Sequence, residues 1–127
     1  MDIKIKKIKI DPTYKKENQL WVLNFDDIKV PFIVKEKSIV YILPKKLGGN
    51  HFHPRQEAFI GIGEGLELHY LKENIIKKER MNPDGKLFLF VIPANLPHAV
   101  FNNSNSPAII IEFADGKQEG VQNYKLI

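Results

Sequence analysis

Apolar residues recur at every second position through most of this 127-residue chain, and no stretch of ten or more carries the period of an amphipathic helix. Such alternation sends successive side chains to opposite faces of an extended strand, so the chain reads as all-β. Strand candidates lie at 20–25, 28–34, 38–43, 58–62, 66–71, 74–80, 86–92, 99–102 and 108–113. Turn residues separate many of them: Asn24-Phe25-Asp26-Asp27, Gly48-Gly49-Asn50, Gly63-Glu64-Gly65, Asn82-Pro83-Asp84-Gly85 and Asn103-Ser104-Asn105-Ser106-Pro107. Short strands at this spacing suit an antiparallel sandwich or barrel, not parallel strands with crossover helices. In the first segment Ile3 and Ile5 share one parity and Ile8 and Ile10 the other, which predicts a bulge at Lys6-Lys7. Lys4, Lys6, Lys7 and Lys9 would guard that strand as an exposed edge.

Composition narrows the function. Apolar residues at 43% and charged residues at 27% supply a real core and exclude disorder and fibrous repeats. With no cysteine there is no disulfide framework, thiolate metal cage or cysteine nucleophile. The longest apolar run, 87–94, falls far short of the ~20 residues that cross a bilayer, and the charged N-terminus lacks the apolar stretch of a signal peptide. The expectation is a soluble cytoplasmic protein with no membrane partner. The net charge of +4 comes almost wholly from scattered lysines, with Arg55 and Arg80 the only arginines. Nucleic-acid surfaces favour arginine and stacked aromatics, so no nucleic-acid partner is expected.

The chemistry-bearing residues are His51-Phe52-His53, Glu57 and His98. Residues two apart on a strand point the same way, roughly 6.6 Å apart, and two such imidazoles can converge on one ion through ~2.1 Å bonds. Glu57 follows after Pro54-Arg55-Gln56 and can bring a carboxylate to the same point. His98 follows a proline-rich turn and could arrive from a neighbouring strand.

With their flanks, these residues resemble the two motifs of the cupin family. The first motif (Gly, five residues, His-x-His, three or four residues, Glu, six residues, Gly) corresponds to 51–57, with Gly63 and Gly65 either side of the last glycine. The second (Gly, five residues, Pro-x-Gly, two residues, His, three residues, Asn) corresponds to Pro93, Asn95, His98 and Asn102. Lys45 and Leu87 stand where each motif opens on glycine, and Asn95 replaces the glycine of Pro-x-Gly, a position that needs positive φ and suits Asn. The resemblance implies a single domain over 1–127, a cupin-type antiparallel β-barrel or jelly-roll-like sandwich. Its motif core would lie at about 48–113, with an N-terminal strand extension at 1–43. It also implies one divalent ion on His51, His53, Glu57 and His98. Fe, Mn, Ni, Co and Zn all suit three imidazoles and a carboxylate.

Other residues could line a substrate site. Phe59 shares the parity of Glu57. Arg55, between two ligands, could meet an anionic group. Phe90 is either core or substrate platform, and Asn102 closes the second motif. Glu112, on an otherwise aliphatic strand, either faces solvent or enters the cavity, where burial would raise its pKa and suit it to act as a base. Leu66, Leu68 and Tyr70 are expected in the core, and Glu67 and His69 in water. Cupins catalyse many reactions, so fold and metal do not fix the chemistry. The run Gly49-Asn50-His51-Phe52-His53 resembles small cupins that act on sugars or sugar phosphates. That implies a metal-dependent isomerase or epimerase, forming a homodimer through sheet edges. The alternatives are an Fe(II) dioxygenase of a small organic acid and a non-catalytic module that binds metal and ligand.

Overall fold

The computed structural model describes residues 4–127. Its strands are β1 (Lys6–Ile10), β2 (Tyr14–Lys16), β3 (Leu20–Val22), β4 (Glu36–Ile42), β5 (Leu47–Phe52) and β6 (Glu57–Ile62). They continue with β7 (Leu66–Lys72), β8 (Ile75–Arg80), β9 (Leu87–Ile92), β10 (His98–Asn102), β11 (Ala108–Ala114) and β12 (Gln122–Asn123). Among the described residues there is no α-helix, and no helix long and apolar enough to cross a membrane. Two antiparallel sheets of five strands each, in the orders β1-β9-β6-β11-β4 and β12-β5-β10-β7-β8, form the body, and β2 and β3 make a separate hairpin.

The first sheet is apolar on both faces. Its inner face meets the second sheet over Phe59, Leu66, Leu68, Phe90, Ile92, Val100 and Ile110. Its outer face carries Ala58, Ile60, Leu89, Val91 and Phe113 under Ile28, with Val30, Phe32 and Val34 packed alongside. Both parities of β9 are therefore buried, which explains the unbroken apolar run there. Residues 28–34 do alternate, since 28, 30, 32 and 34 face the sheet while Ile33 is 79% exposed. They form no strand, however, but an extended strap lying across the sheet face.

β1 pairs with β9 in continuous register from Lys6↔Val91 to Ile10↔Leu87, so no bulge interrupts it at Lys6-Lys7. Ile5 packs on the inner core and Ile10 on the outer one, and a sheet buried on both faces accommodates both parities in a regular strand. Ile3 lies outside the described residues. β1 is an edge strand, as its lysines suggested. Lys7 reaches Glu79 on β8 at 2.9 Å and passes over the Phe88 ring, joining the two sheets on that side.

Candidate metal centre and substrate cleft

Gly48-Gly49-Asn50 is no turn; it lies within β5, where it aims His51. The β5–β10 register runs Val100↔Gly48 and Ala99↔Gly49, then skips to His98↔His51, leaving Asn50 as the extra residue of a bulge. Val100 and His98 both face inward, so Gly48 and His51 face inward too, although three residues apart; a regular strand would put them on opposite faces. Asn50 takes φ of 59° and Gly49 of 96°. A Cβ on Gly49 would stand 2.8 Å from the His98 carbonyl oxygen, so only glycine allows the strands to come this close. The Asn50 side chain accepts from the Leu126 and Ile127 amides, tying the C-terminal segment across the site. The turn before His98 holds Asn95 at φ 65°, and its amide donates to the His53 carbonyl at 2.7 Å.

These devices bring three imidazoles together. Their centroids form a near-equilateral triangle of 5.0, 5.0 and 5.2 Å, and one nitrogen from each lies within 4.8 Å of the others. Glu57 Oε1 approaches His53 Nε2 at 3.0 Å and His98 Nε2 at 3.1 Å. His98 Nδ1 is 2.8 Å from the Leu96 carbonyl, which can only accept; Nδ1 therefore carries the proton and Nε2 keeps its lone pair. Both His53 nitrogens and Glu57 Oε1 are buried without a hydrogen-bond partner among the described residues. Buried polar atoms without partners are costly, and a cation held among them would satisfy them. The three imidazoles could hold a divalent ion, and the Glu57 carboxylate stands beside two of them.

The surroundings favour a neutral His51 beside an ionised Glu57. Burial, then the neighbouring His98 and His53, lower His51 to about 4. Burial opposes ionisation of Glu57, but His53, His98 and the proton on Glu112 hold it well below the usual carboxylate range. Glu112 is raised to about 8, first by burial and then by Glu57, with Arg55 only partly opposing.

Arg55 connects these carboxylates. Its Nε and Nη2 donate to Glu57 Oε2 at 3.0 and 2.7 Å, and Nη2 donates to Glu112 Oε1 at 2.7 Å. Nη1 donates to Glu36 Oε1 at 2.9 Å and to the Gly116 carbonyl at 3.1 Å. Every guanidinium N–H is thus engaged, and only 7% of the residue is exposed.

A cleft of about 120 Å³ opens beside the histidines, lined by His51, Glu57, His98, Glu112, Phe59 and aliphatic residues of β4, β10 and β11. Glu112 therefore faces the cavity. Phe59 lines it, whereas the other three candidates for a substrate site, Arg55, Phe90 and Asn102, do not. Arg55 has no donor left for a substrate anion. Phe90 is fully buried in the inter-sheet core. Asn102 is fully buried as well, and its amide is consumed by the Ile42, Leu43 and Ser106 carbonyls and the Ser104 hydroxyl. Leu66 and Leu68 join the core with Tyr70 packed against it, while Glu67 and His69 pair on the opposite face at 3.2 Å, only about 15% exposed. Sequence reasoning missed Gln118, which enters the cleft from the C-terminal segment with no motif to mark it.

No protein-family model matches the chain, nor does any curated protein. Solved structures do. QdtA, a sugar 3,4-ketoisomerase from Thermoanaerobacterium thermosaccharolyticum solved as a variant with TDP-4-keto-6-deoxyglucose, is 15% identical over 91% of this chain and 83% of its own, with a TM-score of 0.69. CapF from Staphylococcus aureus, a capsular polysaccharide assembling protein, is 20% identical over 78% of this chain, with a TM-score of 0.66. The match spans only 30% of CapF. Oxalate oxidase in complex with glycolate is 22% identical over 68% of this chain and 44% of its own, with a TM-score of 0.57. The chain has the cupin fold. In this cupin barrel the candidate ligands lie on β5, on β10, at the start of β6 and on the segment between β5 and β6, and His51, Glu57 and His98 line the cleft.

Proposed function

We propose that this cupin is a metal-dependent isomerase or epimerase of a sugar or sugar phosphate, with its ion on His51, His53, Glu57 and His98. The observation that carries the reading is the presence, in one cleft, of a convergent donor set and a separate desolvated carboxyl group, Glu112. The likeness to a sugar 3,4-ketoisomerase over most of both chains supports the same reading. A divalent ion bound there would polarise a substrate carbonyl or hydroxyl. Glu112, as carboxylate, takes the proton from the carbon beside the carbonyl. The C–H electron pair becomes a C=C bond as the carbonyl oxygen becomes an enol oxygen. Return of the proton from Glu112 to the former carbonyl carbon, as the hydroxyl proton of the first carbon passes to the enol oxygen, completes the isomerisation of an α-hydroxy carbonyl, whereas a proton delivered from solvent to the opposite face of the first carbon gives the epimer. A group raised to about 8 can both accept and return a proton near neutral pH.

The test combines elemental analysis with deuterium uptake from D₂O into a panel of sugar phosphates and nucleotide sugars. About one equivalent of metal and uptake into at least one substrate are expected. Glu112→Gln should abolish uptake and leave metal content unchanged, whereas His51→Ala/His53→Ala should lose the metal. A double variant that keeps a full equivalent refutes the ligand set. Oxygen consumption by iron-loaded protein with small organic acids, without deuterium uptake, would indicate a dioxygenase instead.

A further inference from the structure

The C-terminal segment runs past the cleft as a strap tied down at both ends. At its start the Asp115 carboxylate accepts from the Gln56 amide and side chain at 2.9 and 3.1 Å. The Asp115 amide donates to the Gln56 carbonyl at 3.2 Å, and the Gly116 carbonyl accepts from Arg55. At the far end Gln122 and Asn123 pair with Phe52 and His51, and the Tyr124 amide donates to the Asn50 carbonyl at 2.8 Å. Asn50 and Gln56 bracket the run that carries His51 and His53, so both ties are made to the ligand-bearing segment. Between the ties residues 117–121 are exposed, and their side chains form no hydrogen bond with other described residues. This loop turns at Gly120, with φ of 64°, where an added Cβ would stand 3.2 Å from Pro54 Cδ.

Gln118 is the residue that this loop places in the cleft. Among the described residues, the other polar side chains lining it are His51, Glu57 and His98, the candidate ligands, and Glu112, whose Oε1 accepts from Arg55 at 2.7 Å. No lysine or arginine lines the cleft, so no side-chain cation meets a substrate anion there. The Gln118 amide offers two N–H donors and a carbonyl acceptor, which matches a hydroxyl that both donates and accepts. We infer that Gln118 is a substrate-binding residue, taking a hydroxyl on a carbon outside the reacting pair. The inference rests on the cleft being the substrate site, as proposed above, and adds the group that orients the end of the substrate remote from the chemistry.

The test is an NMR titration of the zinc-loaded, nitrogen-15-labelled full chain with dihydroxyacetone and hydroxyacetone, neutral ketones that differ by one such hydroxyl. Dihydroxyacetone has as many heavy atoms as benzene, which a cavity of roughly 150 Å³ encloses, so a cleft of about 120 Å³ open to solvent takes most of it. The Gln118 side-chain amide signal, identified by its loss in Gln118→Leu, should shift when dihydroxyacetone is added. Dissociation constants come from the backbone amide shifts around His98. Gln118→Leu should weaken dihydroxyacetone about three- to tenfold, the worth of one hydrogen bond, and leave hydroxyacetone binding and zinc content unchanged. An unmoved Gln118 amide, no shift anywhere with either ketone, or a variant that binds both as the parent does overturns the inference. Equal weakening of both ketones marks a structural role and overturns it too. Deuterium uptake into a sugar phosphate or nucleotide sugar with an unmoved Gln118 amide keeps the isomerase reading and removes this inference. Selective loss of dihydroxyacetone in Gln118→Leu without deuterium uptake does the reverse.

Discussion

Arg55→Met would leave Glu36, Glu57 and Glu112 grouped around an empty position where one guanidinium now meets all three. Two of these carboxylates are largely buried, and an uncompensated buried charge typically costs about 3–5 kcal/mol. A loss of that size in urea unfolding is expected at pH 7; a change below about 1 kcal/mol would show that the network does not hold the site. Arg55→Lys should recover little, since an ammonium cannot reproduce the fork that serves Glu57 twice. The sequence showed that Arg55 lies between two ligands, but its other carboxylate partners are 19 and 57 residues away. The four ligand candidates were legible as a pattern of residue types along the chain, although His98 reaches His51 only through the β5–β10 pairing. Arg55 and Asn102 were misassigned because their partners belong to the tertiary fold.

Among the elements, the bulged β5 does most to shape the site, and its sequence was the most misleading. Glycine and asparagine mark positive φ, which turns and bulges require alike, so Gly48-Gly49-Asn50 reads as a turn until its partner strand is known. The two glycines should respond differently to alanine. Gly49→Ala puts a methyl against the His98 backbone at φ 96°, and should cost about 1–3 kcal/mol and weaken metal binding by displacing His98 relative to His51. Gly48→Ala meets open space and should unfold within about 1 kcal/mol of the parent. Equal effects in paired urea titrations would mean that the bulge is not what aligns the two histidines. Residues 28–34 show the complementary error. Alternation reports which side chains face an apolar surface and says nothing of whether the backbone joins a ladder, so a strap and a strand look the same.

On the scale of the whole molecule, the site places a group that gains a proton on folding beside groups that resist one, and this sets how stability varies with pH in chelator-treated protein. Glu112 has a folded-state value of about 8 against an ordinary 4.5, so its contribution is complete below about pH 4.5 and is lost as pH rises through 8. His51, lowered to about 4 from 6.5, acts in the opposite sense: the folded form excludes its proton, and stability declines as pH falls from 6.5 towards 4. Glu57, held ionised in the fold, adds a further loss on acidification below its ordinary 4.5. Between pH 4.5 and 6.5 the Glu112 and His51 slopes oppose each other, and the His51 share is reduced because its ring is only partly buried. The urea midpoint of metal-free protein should therefore change little over that window, fall from 6.5 to 8, and fall steeply below 4.5. In Glu112→Gln the opposition is gone: the midpoint should climb from pH 4.5 to 6.5 and then level off. A variant that still loses stability between 6.5 and 8 would place the alkaline titration on another group and remove the physical basis for Glu112 as the proton carrier.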